Sequence, residues 1–422
     1  MTKMKRRIVR TPLTLLAVLA TAGACDDDSN AGSEHADTGA GDGDGNTGAG
    51  EEHTPWDTDR GPRVGTFQLQ NEFKLPVPEG ATKVRMWLPL PQHGASEYPT
   101  IASSKVTNFE IDTGGLEWSE HTDGAGNKIA YLEVLDPQQS EIVVTQRFLL
   151  ERTEVLNGYI DPEETRPYTE QELAALTAFL QPSTHIPDSE GVRALAADIV
   201  GAEVNPVIKT RLIYDWMLKN IDYWVKDPEN DAASSLGDTD HCLNLGTGNC
   251  TDFHSAFAAL ARVSNLPTRM VYGGLLKSNL NDLDIDASYH CWAETWAPEL
   301  GWIPLDVSVA DVWYGDNLEW NDLTPEQQQN LENTAGSNWK GTNLDVVDYY
   351  FGNMDERRVV WSIGRDIELV PAPVGAPVNV MVKGYYEIDD VAHEWSWADS
   401  AIPRKFTYVA TGAVVSDYWP LE

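Results

Sequence analysis

The chain has 422 residues, with 66 Asp and Glu against 30 Lys and Arg, for a formal net charge of −36. So acidic a surface repels phosphate backbones and argues against nucleic acid as a partner. With 41% hydrophobic residues, 15 Trp and 15 Tyr among them, the chain has material for more than one buried core and is not disordered as a whole.

Lys3, Lys5, Arg6, Arg7 and Arg10 precede an apolar or small-residue run from Leu13 to Ala24. A basic start followed by a run too short to span a bilayer reads as an export signal over residues 1–24. The run ends in Ala22-Gly23-Ala24-Cys25, which resembles the lipobox of a bacterial lipoprotein, with Ala22 where Leu is usual. That resemblance implies cleavage before Cys25 and its lipidation. The expectation is an exported protein of the bacterial cell envelope, facing periplasm or exterior, held to a membrane by the Cys25 lipid alone. Residues 25–62 are acidic and rich in Gly, Ser and Thr, a composition that stays an extended tether. Asp42-Gly43-Asp44-Gly45-Asn46 lacks the Gly and Glu that a calcium loop needs and is read as linker.

From 63 to 155 the pattern alternates with period two, as in Thr66–Phe73, Lys83–Leu88 and Glu141–Phe148, with turn clusters between the runs. This predicts an antiparallel β-sandwich domain. Residues 156–370 change to helical spacing. Thr169 and Glu172 have capping-box spacing, and Ile208, Leu212, Trp216 and Met217 form part of a stripe that needs a core. A further helix is expected over 250–265, then strands at 268–276, 288–297 and 302–309. Helices followed by strands argue an α+β unit. The remainder, 371–422, is read as a C-terminal β extension, with strands near 378–388 and 405–415. No partner subunit is implied, and a monomer is expected.

Three turn-forming residues, Gly246, Gly248 and Asn249, lead into Cys250, and Phe253, Phe257 and Leu260 follow at helical spacing. That places Cys250 at a helix N-terminus, where free N–H groups and the helix dipole favour a thiolate, the reactive form of cysteine. A buried core thiol is the competing reading. His290 lies in Ser288–Trp296 and Asp306 in Trp302–Ser308, two runs joined by a connection short enough for a hairpin. A pairing centred on Pro298 sets His290 directly opposite Asp306. Asp306 then orients the imidazole, and His290 takes the proton of Cys250.

GNCTDFHSAFAALAR, YHCWAE and GWIPLDVS resemble the Cys, His and Asp motifs of the bacterial transglutaminase-like superfamily, in that family's chain order. The resemblance spans about residues 63–390. It implies a papain-like α+β core, a thioester acyl-enzyme on a Cys250–His290–Asp306 triad, and no cofactor. It also implies a second oxyanion donor besides the Cys250 N–H. Trp224 is the candidate and Tyr223 the alternative, each with core packing as the bland reading. His254, four residues after Cys250, ranks below His290 because no carboxylate is placed to orient it.

No metal is expected: His241, Cys242, Cys250 and His254 fit no common zinc spacing, and Asp282-x-Asp284-x-Asp286 lacks the calcium-loop Gly and Glu. With Cys25 and Cys250 assigned, Cys242 and Cys291 remain as a disulfide candidate in an exported chain. The expected activity is acyl transfer from a peptide or protein amide, with water as acceptor favoured over a lysine amine. A cross-linking transglutaminase and an inert envelope scaffold are the rival readings.

Overall fold

Along Val64–Pro76 alternate side chains are buried, among them Phe67, Leu69, Phe73 and Leu75, as the period-two pattern requires. This strand sits inside the first sheet of a computed structural model that describes residues 58, 61–226, 232–277, 280–314, 343–375, 377–393 and 402–411. The export signal, Cys25 and nearly all of the tether lie outside the described residues. Among those residues no helix is long and apolar enough to cross a membrane.

The first sheet has the order Arg404–Ala410, Val64–Pro76, Glu141–Thr153, Ser104–Asp112. The second has the order Val391–His393, Tyr385–Ile388, Lys83–Pro89, Lys128–Leu135, Ser119–Thr122. Every pairing within both is antiparallel. Phe73, Leu75 and Val144 from one sheet meet Val84, Met86, Leu88 and Leu132 from the other in a single apolar core. The segment read as a C-terminal extension contributes strands to both sheets. Arg404–Ala410 covers what would be the open edge of Val64–Pro76, and Tyr385–Ile388 covers that of Lys83–Pro89. Covering an edge satisfies its backbone groups, a demand that composition along the chain does not reveal. Of the expected 378–388 strand, only Tyr385–Ile388 is regular.

The second layer system is a four-stranded antiparallel sheet, in the order Gly301–Leu305, Tyr289–Ala297, Thr268–Leu275, Arg358–Ile363. Helices Glu190–Val200, Pro206–Asn220 and Thr239–Leu245 surround the helix Cys250–Val263, which packs on Tyr289–Ala297. Residues 250 to 261 of that helix are all buried, so it is enclosed on every side. The expected capping box is present on the helix that begins at Glu170, with Thr169 Oγ1 accepting from the Glu172 N–H. The whole is α+β.

Candidate active site

Gly246, at φ 71°, ends the helix Thr239–Leu245 in the left-handed conformation that glycine adopts freely. Thr247–Gly248 then pairs in parallel with Asp222–Tyr223, and a Cβ on Gly248 would lie 2.4 Å from that of Asp252. That close approach lets a capping box form at once. Asn249 Oδ1 accepts from the N–H groups of Thr251 (2.8 Å) and Asp252 (3.1 Å), and Asp252 Oδ2 accepts from Asn249 N–H (2.9 Å). The Phe253 N–H donates to the Asn249 carbonyl. Cys250 is therefore the first helical residue, buried, and its own N–H is the amide of that turn left for a ligand.

His290 faces Asp306, but by a route that differs from the expected one. The hairpin pairs Ala297 with Gly301 and Ala293 with Leu305, so it is centred on Glu299, one residue later than Pro298. Glu299 and Gly301 take positive φ (68° and 76°), which closes a three-residue loop. The ladder ends at Leu305. Asp306 is not a strand residue; it caps the helix Val307–Trp313, where its Oδ1 accepts from the Val309 N–H and the Ser308 hydroxyl, each at 3.0 Å. The turn into that helix swings Oδ2 to within 2.7 Å of His290 Nε2. Nδ1 is the ring atom left for the thiol.

The electrostatics follow from this packing. Burial pushes the Cys250 thiol up, but the neighbouring Cys291 thiol and the adjacent His290 ring outweigh it and hold the thiol well below its ordinary range. Burial likewise opposes the charged form of His290, yet Asp306 and Cys250 raise it to about 9. Asp306, despite its own burial, is held far below the carboxylate range by His290 and Arg358. All three shifts act in one direction, toward a thiolate–imidazolium pair backed by a carboxylate.

Other candidates fall into place around it. The Tyr223 hydroxyl is pushed well up by burial and by the charge of Cys250, and its ring packs edge-on against Phe253 at 5.7 Å. Trp224, in the short turn Trp224–Lys226, bonds to the Tyr223 side chain. His254 Nδ1 donates to the Cys250 carbonyl (2.8 Å), and its Nε2 stands 3.6 Å from Asp306 Oδ1 without a hydrogen bond. Burial holds this ring down at about 4, so it is neutral and fixed, although a carboxylate does lie beside it.

Cys242 and Cys291 are free thiols, contrary to the disulfide expectation. Cys291 lies 3.6 Å from both Thr251 Oγ1 and His254 Nδ1, on the Cys250 side of the core rather than joined to Cys242. Among the described residues no three His, Cys, Asp or Glu side chains are grouped to hold a metal. Asp286 pairs with Lys383 and Arg404, and Asp284 accepts from the Phe406 N–H, so that acidic run is a structural clamp and not a calcium loop.

Arg358 is a site residue that the sequence reading missed. Its Nη1 lies 2.6 Å from Asp306 Oδ2, the same oxygen that His290 uses. The available signal was a cation heading the fully buried strand Arg358–Ile363, since an arginine is buried only when it is paired.

Residues 193–307 match the family model described as the transglutaminase-like superfamily. An uncharacterized protein of Haemophilus influenzae is 26% identical over 343 residues, covering 76% of this chain and 85% of its own length. A protein-glutamine gamma-glutamyltransferase of Pseudomonas aeruginosa is 31% identical over 121 residues, 27% of this chain and 17% of that protein. Among solved structures, a candidate cysteine protease of Cytophaga hutchinsonii aligns at 15% identity and a TM-score of 0.45, over 82% of this chain and 98% of its own. The periplasmic domain of TgpA from Pseudomonas aeruginosa aligns at 15% identity and a TM-score of 0.27, over 56% and 93%.

Proposed function

We propose that this chain, whose residues 193–307 belong to the transglutaminase-like superfamily, is a cysteine enzyme that transfers the acyl group of an amide to water. The observation that carries this reading is the buried relay from Cys250 at a helix tip through His290 to Asp306. In the proposed reaction the Cys250 thiolate attacks the amide carbonyl, and the N–H of Cys250 supports the oxyanion, with the Tyr223–Trp224 turn as the candidate second donor. His290, as imidazolium, gives its proton to the leaving amine. It then takes a proton from water as that water opens the thioester, releasing the acid and restoring the thiolate. Asp306 holds the charged ring throughout.

Water is the favoured acceptor because it needs no second binding site. A lysine-type amine as acceptor is the second reading, favoured by the 31% identity to a protein-glutamine gamma-glutamyltransferase. The same protein is proposed to be exported and lipid-anchored at Cys25, acting on peptides or protein amides in the cell envelope.

The test is a screen of peptide and glutamine amides for release of ammonia or amine, with Cys250→Ala as the blank. Adding a primary amine separates the readings: unchanged acid product supports hydrolysis, and an amide adduct supports cross-linking. No turnover, together with a Cys250 that a thiol probe labels equally in wild type and His290→Ala, would leave an inert scaffold as the better account.

A further inference from the structure

Asp306 offers its oxygens to two separate tasks. Oδ1 caps the helix Val307–Trp313, and Oδ2 takes His290 Nε2 and Arg358 Nη1 together. On its other side the Arg358 guanidinium meets Asp355 Oδ2, with Nε and Nη2 each at 2.8 Å. Asp355 is itself fixed, because its Oδ1 accepts from the Arg357 N–H (3.0 Å) and its Oδ2 from the Tyr350 hydroxyl (3.1 Å). The rings of Trp292 and Tyr350 stand 5.1 and 5.5 Å from the guanidinium carbon, and Arg358 and Asp355 are both fully buried. A planar cation thus bridges two buried carboxylates, a geometry that an ammonium group cannot copy.

We propose that Arg358, braced by Asp355, is a positioning residue for the nucleophile: it fixes the face and the charge of the carboxylate that holds His290. This rests on the acyl-transfer reading above. With Arg358 in place, Oδ2 has both its acceptor directions filled, so the carboxylate cannot rotate away from the ring. A neighbouring cation also keeps Asp306 ionised in a site that excludes water. The opposing account is that Arg358 merely holds the fold, as Arg269 does with Glu294 on the same sheet. The two accounts differ in one respect. A charge that acts on the nucleophile moves its titration, and it does so in a direction set by sign.

The test is the rate of Cys250 alkylation by iodoacetamide against pH in the full chain, which needs no substrate. His254, Cys291, Tyr223, Tyr289 and Lys277 all act on or feel the thiol, and each is retained in the variants. Arg358→Gln removes a positive charge and is expected to raise the midpoint of the alkylation profile by on the order of one pH unit. Asp355→Asn removes the opposing negative charge and is expected to lower it. Arg358→Lys keeps the charge but not the two-sided bridge, so its midpoint is expected between those of wild type and Arg358→Gln. Shifts in the same direction for the first two, or none in either, overturn the proposal. If Arg358→Gln does not fold, the downward shift in Asp355→Asn still decides, since general loosening of a buried ion pair does not strengthen a thiolate. A wild-type midpoint at the ordinary thiol value, unmoved by His290→Ala, overturns the cysteine chemistry and this proposal together. A low wild-type midpoint that depends on His290 but ignores residues 355 and 358 overturns this proposal alone.

Discussion

Asp306→Asn keeps the shape of the side chain and removes its charge, and the surrounding donors make that change severe. Four donors converge on the carboxylate: the Val309 N–H, the Ser308 hydroxyl, His290 Nε2 and Arg358 Nη1. An amide has one acceptor oxygen. With that oxygen toward His290 and Arg358, the new NH2 confronts the Val309 N–H and the helix loses its cap. Flipped, the NH2 confronts a guanidinium and forces the other imidazole tautomer. Relative to a reference of 6.5, His290 at about 9 corresponds to about 3 kcal/mol of preference for the charged ring. Burial alone would push the ring the other way, so the variant should hold a neutral imidazole and a protonated thiol at pH 7. The expected loss of thiolate–imidazolium pairs is about 100-fold or more. Stability should fall by about 1–3 kcal/mol from the lost cap and the unsatisfied donor. Iodoacetamide alkylation at pH 7 reads the first effect and chemical denaturation the second. Alkylation of the variant within about twofold of wild type would mean that Asp306 does not set the state of the ring.

The pH dependence of stability follows from the same pair. His290 is raised on folding, so its contribution is whole below about 6.5 and is lost as pH rises through about 9; the melting temperatures of wild type and His290→Asn should converge across that window. Gly273→Ala should be disruptive, because the added Cβ would lie 1.9 Å from the Val359 carbonyl oxygen between paired strands. A loss of at least about 3 kcal/mol is expected in urea unfolding, and a near-neutral result would mean that the strands can part there. Cys242 and Cys291 should both take up alkylating agent in denatured protein without reductant, and a peptide pair linked through them would contradict the free thiols seen here.

The local features were legible where chemistry is local. Turn residues before Cys250 and an apolar stripe after it required a helix start, and Asn249 with Asp252 supplies the cap. Period-two alternation marked Val64–Pro76 and Glu141–Thr153. The meeting of His290 and Asp306 is legible in the two motifs, but the backbone that brings it about is not a simple hairpin. The pattern suggests a strand through Asp306, whereas Oδ1 caps a helix, and an aspartate before Val-Ser-Val can be read either way. Arg358 was hidden because its partners are 52 residues upstream and three residues before it, and nothing in a one-dimensional pattern pairs a cation with one carboxylate over another. The disulfide expectation failed for a related reason. Counting thiols does not say which of them are neighbours: Cys242, Cys250 and Cys291 all lie in one core, and the thiol that Cys291 adjoins there is Cys250.

The β-sandwich helps to hold the strand that carries the imidazole. Residues 281–286, which lead into Tyr289–Ala297, run against Arg404–Ala410: Asp282 N–H donates to Tyr408 O, Ile285 N–H to Phe406 O, and Asp284 bridges Thr407. Asp286 is then locked by Lys383 and Arg404, both of the C-terminal segment. On the same strand Glu294 ties the buried Arg269 to Thr100, whose short helix Pro99–Ala102 precedes the strand Ser104–Asp112. His290 is thus flanked along the chain by two anchored residues, Asp286 before its strand and Glu294 within it. A buried ion pair such as Arg269–Glu294 adds little net stability compared with apolar packing, but it is intolerant of misplacement. That intolerance suits the need here, because the Asp306 contact works only at hydrogen-bond distance. The sandwich and its C-terminal strands are therefore part of what makes the site a fixed geometry, and truncation before Arg404 should disorder the approach to His290 before it unfolds the helical core.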